Sequence, residues 1–178
     1  MFTRRSALDF LPLETVRGIL VSAPGLLAES YAGVAMARIA GADAREDLLD
    51  LMRRGPCRRS REGALYGLVE LGDPTVAPRI VDAVRDRLVG RGAAGFVIAA
   101  LRLPDGELVT WLRSADQAVR EVAIDAVFSL SADVGGLRDM PLALAAREAI
   151  TAGRVQLAPQ IRRMLEDRIA ALVDQSSG

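Results

Sequence analysis

The stretch REGALYGLVELGDPTVAPRIVDAVRD, residues 61–86, determines how the rest of the chain is interpreted. Its first half, up to Leu71, is rich in Ala, Gly and Leu and has helical apolar spacing. Gly-Asp-Pro follows, where Asp73 is suited to cap a second helix and Pro74 to lie in its first turn. The second half places apolar residues on one helical stripe, namely Val76, Ile80, Val81, Val84 and Leu88. The segment therefore predicts two helices joined by a tight turn.

Partial copies of this segment recur along the chain. Three segments open with Arg, carry Ala at the fourth position and end in Leu at the eleventh; they begin at Arg61, Arg91 and Arg120. The starting positions are therefore 30 and 29 residues apart. A repeat of this length that contains two helical patterns is typical of an α-solenoid.

The repeat predicts an all-α chain that forms a single domain over residues 1–178. We expect about five helix pairs, at residues 26–54, 58–89, 91–114, 116–140 and 142–174, and an additional N-terminal helix near 6–22. Glycines interrupt the fourth pair in SADVGGLRDMP, residues 131–141, so the second helix of this pair should be short or irregular. The amphipathic last helix should cap the stack.

These units resemble HEAT repeats, especially the short bacterial HEAT-like type that is also seen in phycobilisome-lyase-like proteins. The resemblance rests on residues 61–86, with their Arg, Ala-rich first helix, Leu-Gly-Asp-Pro turn and apolar second helix; partial copies cover about 26–174. It implies a right-handed α-solenoid whose second helices line the concave face. Because HEAT-like solenoids serve mostly as binding scaffolds, it implies a kind of role but no activity.

The composition excludes many catalytic sites. All 23 basic residues are Arg, His is absent, and Cys57 is the only cysteine. Without His there is no imidazole base for a Ser or Cys nucleophile, and without Lys there is no Schiff base or P-loop lysine. One Cys and no His also leave a conventional zinc site almost without ligands. We therefore expect a chain that is not an enzyme and that holds no metal and no cofactor.

Several features predict a cytoplasmic protein with no membrane association. A lone cysteine cannot form an intramolecular disulfide and suits a reducing compartment. Asp9, Pro12 and Glu14 interrupt the apolar run that a signal peptide would need. No run approaches the ~18 apolar residues of a membrane span. The absence of Lys and Asn is typical of a high-GC bacterial source.

Gly90, Gly92 and Gly95 have the G-x-G-x-x-G spacing of a dinucleotide-binding loop. Such a loop follows an apolar strand, whereas the charges in the preceding VDAVRDRLV have helical spacing. We therefore expect Gly90 to end the second helix of its pair, and Gly92 and Gly95 to allow close packing in the next helix.

The second helices carry arginines at equivalent positions. Arg53, Arg85 and Arg113 share this register, and Asp50 and Asp82 lie three residues before the first two. In a HEAT-like stack these arginines would form a ladder along the groove that binds a partner. The Asp–Arg pairs could instead satisfy one another on the helix surface. Both interpretations stay open here.

The segment RRGPCRRSR, which includes Arg58 and Arg59, packs five Arg into nine residues. One interpretation is a contact with an anion, and another is a solvated turn between repeats. Over residues 43–62 there are six Arg against five acids and no interleaved run of aromatics, so nucleic-acid binding is not expected. Cys57 could have a lowered pKa among these arginines, or be a small residue at a helix entrance.

Trp111, the only tryptophan, shares the register of Leu51, Ala83 and Met164 in other pairs. This register favours packing between repeats, and partial exposure would make Trp111 an anchor for a partner.

The combined expectation is a non-catalytic module that binds a protein or peptide in the groove of the second helices. It could be an accessory subunit of an enzyme complex, and self-association through small-residue faces stays open. The resemblance also implies two alternatives. One is a lyase-like or maturation accessory enzyme, and the other is a nucleic-acid binder like the HEAT-like DNA glycosylases.

Overall fold

The computed structural model describes residues 5–22, 28–132 and 140–176. In these ranges all regular structure is helical, which confirms the all-α prediction. The α-helices are α1 (Leu13–Ser22), α2 (Ala28–Ala40), α3 (Ala44–Arg54), α4 (Arg58–Leu71), α5 (Ala77–Arg85), α6 (Arg91–Ala100), α7 (Asp105–Leu112), α8 (Gln117–Ala132), α9 (Met140–Thr151) and α10 (Pro159–Ser176). Short 3-10 turns precede α1, α3 and α5, at Ala7–Phe10, Gly41–Asp43 and Pro74–Val76.

The chain forms two compact units, unit 1 (Met1–Ala93) and unit 2 (Ala94–Gly178). Each unit has its own aliphatic core. The largest fully buried side chains of unit 1 are Leu20, Met36, Leu48, Met52, Leu65, Leu68 and Ile80, and those of unit 2 are Ile98, Leu108, Leu112, Ile124 and Leu142. None of these side chains is aromatic, as expected for a chain with 4% aromatic residues.

Helices α2 and α4 of unit 1 touch backbone to backbone. A Cβ atom at Gly33 would lie 1.9 Å from the carbonyl oxygen of Gly63, and one at Gly67 would lie 2.5 Å from that of Gly33. In unit 2, a Cβ at Gly95 of α6 would lie 2.5 Å from the Cβ of Asp125 in α8. Glycine is therefore required at these contacts, and the predicted packing role of Gly95 is confirmed. The same prediction for Gly92 is wrong, because Gly92 is exposed and a Cβ there would meet no atom within 4 Å.

The turn between α4 and α5 forms as predicted. Helix α4 ends at Leu71, and Gly72, which follows it, has the left-handed φ of 67° that suits glycine. The Asp73 carboxylate then accepts a hydrogen bond of 2.9 Å from the backbone N–H of Thr75. Pro74 opens the 3-10 turn that leads into α5, where its missing N–H leaves no hydrogen bond unmade.

The predicted role of Gly90 is wrong. Helix α5 ends at Arg85, and the left-handed residue that closes it is Arg87, with a φ of 58°. Two backbone hydrogen bonds of 2.9 Å across the end of α5 form the closing motif usually built around glycine. Gly90 instead donates its N–H to the Glu62 carboxylate, at 2.9 Å.

The N-terminal segment differs from the single helix expected over 6–22. The 3-10 turn Ala7–Phe10 is separated from α1 by an extended residue, Leu11, and by Pro12. Proline favours the start of a helix over its interior, which explains the break. Helix α5 ends at Arg85, four residues before the predicted 89, and the other outer helix boundaries within the described ranges lie within two residues of the predicted ones. Helix α8 continues to Ala132 and α9 begins at Met140, so most of the segment 131–141 lies outside the described residues.

Candidate interaction surface

The arginine that opens the repeat connects turns of the backbone. Arg61, in the first part of α4, donates from Nε to the carbonyl oxygen of Gly55 at 2.8 Å. Its Nη1 lies 3.4 Å from the carbonyl oxygen of Leu88, in the turn after α5. One guanidinium thus holds together the turn before α4 and the turn after α5.

Arg120 makes the equivalent contacts in unit 2. It donates to the carbonyl oxygens of Ser114 at 2.8 Å and Ala115 at 2.7 Å, in the turn before α8. Its Nε donates to the carbonyl oxygen of Arg154 at 3.1 Å, in the turn after α9. Both arginines therefore bind a carbonyl six residues upstream and another in a later turn. The sequence pattern marked these positions but did not indicate this role.

The turns on either side of α4 and α5 meet at one end of unit 1. Besides the contacts of Arg61, the Glu62 carboxylate accepts the Gly90 N–H at 2.9 Å and the Arg58 Nε at 2.8 Å. We call this surface, formed by residues 50–62 and 82–91, the basic end. These segments carry eight Arg against four Asp or Glu. Six of the arginines are exposed: Arg53, Arg54, Arg58, Arg59, Arg85 and Arg87.

The two Asp–Arg pairs expected on the second helices behave differently. Asp82 and Arg85 form the predicted ion pair. Asp50 instead pairs with Arg54, with 3.2 Å between Oδ1 and Nε. The pairing of Asp50 with Arg53 that the sequence left open does not form, because the residue four positions on provides the partner and both spacings are within reach on a helix.

Three exposed arginines of the basic end form no ion pair with the described part of the chain. They are Arg53, at the end of α3, Arg59, in the first turn of α4, and Arg87, in the turn after α5. Each guanidinium can present five N–H donors to a ligand. The charged VRDRL sequence is the only signal that could have drawn attention to Arg87 beforehand.

The acidic end of unit 1, formed by residues 38–47 and 70–79, has the opposite balance. These segments carry three Arg against five Asp or Glu, and all three arginines are paired. Arg38 lies between Asp9, at 3.0 Å, and Glu70, at 2.8 Å. Arg45 donates to Asp73 at 2.8 Å. In unit 1, the arginines of the acidic end are thus ion-paired, whereas Arg53, Arg59 and Arg87 of the basic end form no ion pair with the described residues.

The contacts of Arg38 and Arg45 also lower the pKa values of two carboxyl groups, those of Asp9 and Asp73. Hydrogen bonds from the Thr75 hydroxyl and from Arg45 lower the pKa of Asp73 to about 2. For Asp9, burial acts to raise the pKa, but hydrogen bonds from Arg38 and Ser6 outweigh it, so the pKa lies below the ordinary value. Both carboxylates thus stabilise the folded chain in their charged form.

Arg113 and Trp111 belong to unit 2, whereas the other predicted site residues belong to unit 1. Arg113 is exposed and lies 3.6 Å from the Glu148 carboxylate. Trp111 is partly exposed. At the same register Leu51 and Ala83 are buried, whereas Met164 is 46% exposed. A ladder that joins Arg113 to the arginines of unit 1 stays a prediction.

Cys57 is exposed at the N-terminal boundary of α4, within the basic end. Its Sγ lies 3.3 Å from the Ser60 hydroxyl, and this contact is the main cause that lowers the pKa of the Cys57 thiol. The first amides of α4 add to the lowering of the pKa without the geometry of a capping hydrogen bond, whereas burial and, to a smaller extent, the charge of Glu29 act to raise it. The lowered pKa, one of the two interpretations left open by the sequence, is thus present, but its leading cause is a serine and not the arginines.

Among residues 5–22, 28–132 and 140–176, no group of three or more Cys, Asp or Glu side chains is placed to hold a metal ion. In the same ranges no helix has the length and apolar character needed to cross a membrane. Family models, curated proteins and solved structures give no match to the chain. The interpretation as a HEAT-like chain therefore rests on its own repeat and contacts.

Proposed function

We propose that the chain is a right-handed, HEAT-like α-solenoid that acts as a non-catalytic binding module for a protein or peptide. The observation that carries this proposal is the set of exposed, uncommitted arginines at the basic end, beginning with Arg53. A protein surface that keeps cations exposed beside a stable backbone framework is suited to binding a charged partner.

The repeated arginine contacts support the solenoid part of the proposal. Arg61 and Arg120 bind their turns in the same way, and close glycine contacts join α2 to α4 and α6 to α8. Because Arg120 reaches the turn after α9, as Arg61 reaches the turn after α5, α9 would be the second helix of the α8 repeat. The last two pairs would then be divided differently from 116–140 and 142–174, with α10 as the terminal cap.

The second helices supply the proposed groove. Arg53 on α3, Arg85 on α5 and Arg113 just after α7 are all exposed. Their guanidinium groups would contact carboxylates and carbonyl oxygens of the partner, and Trp111 would be an apolar anchor beside Arg113.

The test is capture of partners from the native host with the intact chain and two charge-reversed variants. The first variant changes the groove residues Arg53, Arg85 and Arg113 to Glu. The control makes the same change at three arginines outside the proposed second helices, namely Arg17 on α1 and Arg162 and Arg163 on α10. Both variants must keep the native helical circular dichroism signal. A partner lost only with the first variant supports the groove, and a partner retained by both variants contradicts it.

The alternative of an accessory enzyme has one observation in its favour, the exposed Cys57 thiol with its lowered pKa. Such an enzyme would use the thiolate as a nucleophile. If Cys57→Ser abolishes an activity of the complex without loss of the partner, this alternative replaces the binding module.

A further inference from the structure

We propose that the basic end of unit 1 binds a short, extended, acidic segment of the partner protein. This inference rests on the proposed function and specifies the chemistry of the partner at one part of the site. The carboxylates of that segment would pair with Arg53, Arg59 and Arg87, which form no ion pair with the residues that the structure describes.

The backbone that carries these arginines is fixed by hydrogen bonds. Arg61 binds the carbonyl oxygens of Gly55 and Leu88, and Glu62 binds the N–H of Gly90. The turns that present Arg53, Arg59 and Arg87 are thereby connected before any ligand arrives. A preorganised surface of this kind loses less conformational entropy on binding than a set of cations on free loops.

Arg87 occupies a backbone conformation that glycine adopts at other helix ends of this chain. Its φ is 58°, and the residues that close α4 and α9 in the left-handed region are Gly72 and Gly153. A residue with a Cβ atom is strained in this region, whereas glycine is not. Arg102, after α6, shares this conformation with a φ of 53°, so the conformation alone does not assign Arg87 to binding. What distinguishes Arg87 is its exposed position within the basic end, where it forms no ion pair with the described part of the chain.

The composition of the basic end favours a peptide over a nucleic acid. Asp50, Asp82 and Asp86 are interleaved with the arginines and would repel a phosphate backbone. Residues 50–62 and 82–91 contain no aromatic side chain on which a base could stack. An extended peptide instead offers carboxylates to the arginines and backbone N–H groups to the aspartates.

The first experiment measures binding of a fluorescein-labelled, Glu-rich peptide to the full-length chain by fluorescence anisotropy. Arg87→Gly should weaken binding about two- to five-fold, because one exposed charge pair with the peptide is lost. The substitution should not destabilise the fold, because glycine relieves the backbone strain at this position. Combining it with Arg53→Gln and Arg59→Gln should weaken binding about 10- to 100-fold. Raising the salt concentration to roughly 0.15 M should weaken the native complex, since exposed charges are screened.

Arg102→Gly is the matched control, because Arg102 is exposed, has a φ of 53° and lies in unit 2. This variant should bind the peptide like the native chain. The inference is overturned if the native chain does not bind the peptide at low salt, or if Arg87→Gly and Arg102→Gly weaken binding equally. Because both substitutions place glycine in a left-handed position, unequal effects on binding do not reflect unequal folding.

Two further probes separate the peptide from other anionic partners. An oligonucleotide of equal charge that binds more tightly than the peptide, and loses affinity with Arg87→Gly, would assign the surface to nucleic acid. Sedimentation that shows self-association lost with Arg87→Gly would assign it to the acidic end of a second copy. Either result overturns the inference. If the peptide fails to bind while the groove variant still loses its partner, the proposed function stands and only this inference fails.

Discussion

A methyl group added at Gly33 would occupy the space in which α4 lies. Its carbon would be 1.9 Å from the carbonyl oxygen and 2.7 Å from the carbonyl carbon of Gly63. Carbon–oxygen contacts in proteins are normally at least ~3.3 Å, so α2 and α4 would have to move apart by about 1.4 Å at this point. Since both opposing atoms belong to the backbone, no side-chain rotation can relieve the overlap.

The expected loss of stability follows from this separation. A gap of about 0.5–1 Å already forfeits a quarter to a half of a van der Waals contact. Overpacked core substitutions lower the free energy of unfolding by about 1–3 kcal/mol, and an overlap between two backbones belongs at the upper limit. Alanine regains about 1 kcal/mol through its helix propensity. We therefore expect Gly33→Ala to lower the free energy of unfolding by about 2 kcal/mol.

The measurement is urea denaturation followed by circular dichroism, with Trp111 fluorescence as a separate probe of unit 2. Gly18→Ala is the control, since Gly18 lies inside α1 and a Cβ there would meet no atom within 4 Å. This control should raise stability by up to about 1 kcal/mol. If Gly33→Ala and Gly18→Ala shift the urea midpoint in the same direction, the close contact between α2 and α4 is refuted.

Three other substitutions test individual contacts. Asp73→Asn keeps a capping side chain but removes the carboxylate whose pKa is lowered to about 2. Because that pKa lies below its unfolded value, the carboxylate stabilises the fold above about pH 4 and this contribution is lost as the pH falls. The native urea midpoint should therefore fall more steeply than that of the variant below about pH 4, and parallel curves would contradict this. Arg120→Ala removes the donor to three carbonyls and should lower the free energy of unfolding by about 1–3 kcal/mol. The exposed Arg147→Ala should change it by less than about 0.5 kcal/mol, and equal losses would refute the bridging role. Ser60→Ala removes the main cause that lowers the pKa of Cys57, so iodoacetamide should alkylate the thiol more slowly near neutral pH. Equal rates at neutral pH would show that the hydroxyl has no such effect.

The helices were predictable because their signals are local. Apolar periodicity located them, and Asp73 with Pro74 marked a turn whose hydrogen bond depends on residues only two positions apart. Gly95 was also predictable as a packing residue, since a glycine inside an apolar helix has few other uses. The all-α class follows from these local patterns.

The errors arose where several residues compete for one geometric role. Gly90 was the preferred residue to end α5, but Arg87 took the left-handed position and the helix ended earlier. Asp50 had arginines both three and four positions on, and sequence spacing does not distinguish them. Which arginines of the basic end are left without an ion pair depends on the partner that each carboxylate takes. The structure is therefore needed to identify Arg53, Arg59 and Arg87.

The contacts of Arg61 and Arg120 also bear on how this chain tolerates changes in length. The same kind of bridge spans 27 residues from Arg61 to Leu88 and 34 residues from Arg120 to Arg154. The contact therefore depends on the distance between the two turns in space and not on the number of residues between them in the sequence. We therefore expect an insertion or an affinity tag in the turn between α4 and α5 to leave the contact between Arg61 and Leu88 intact.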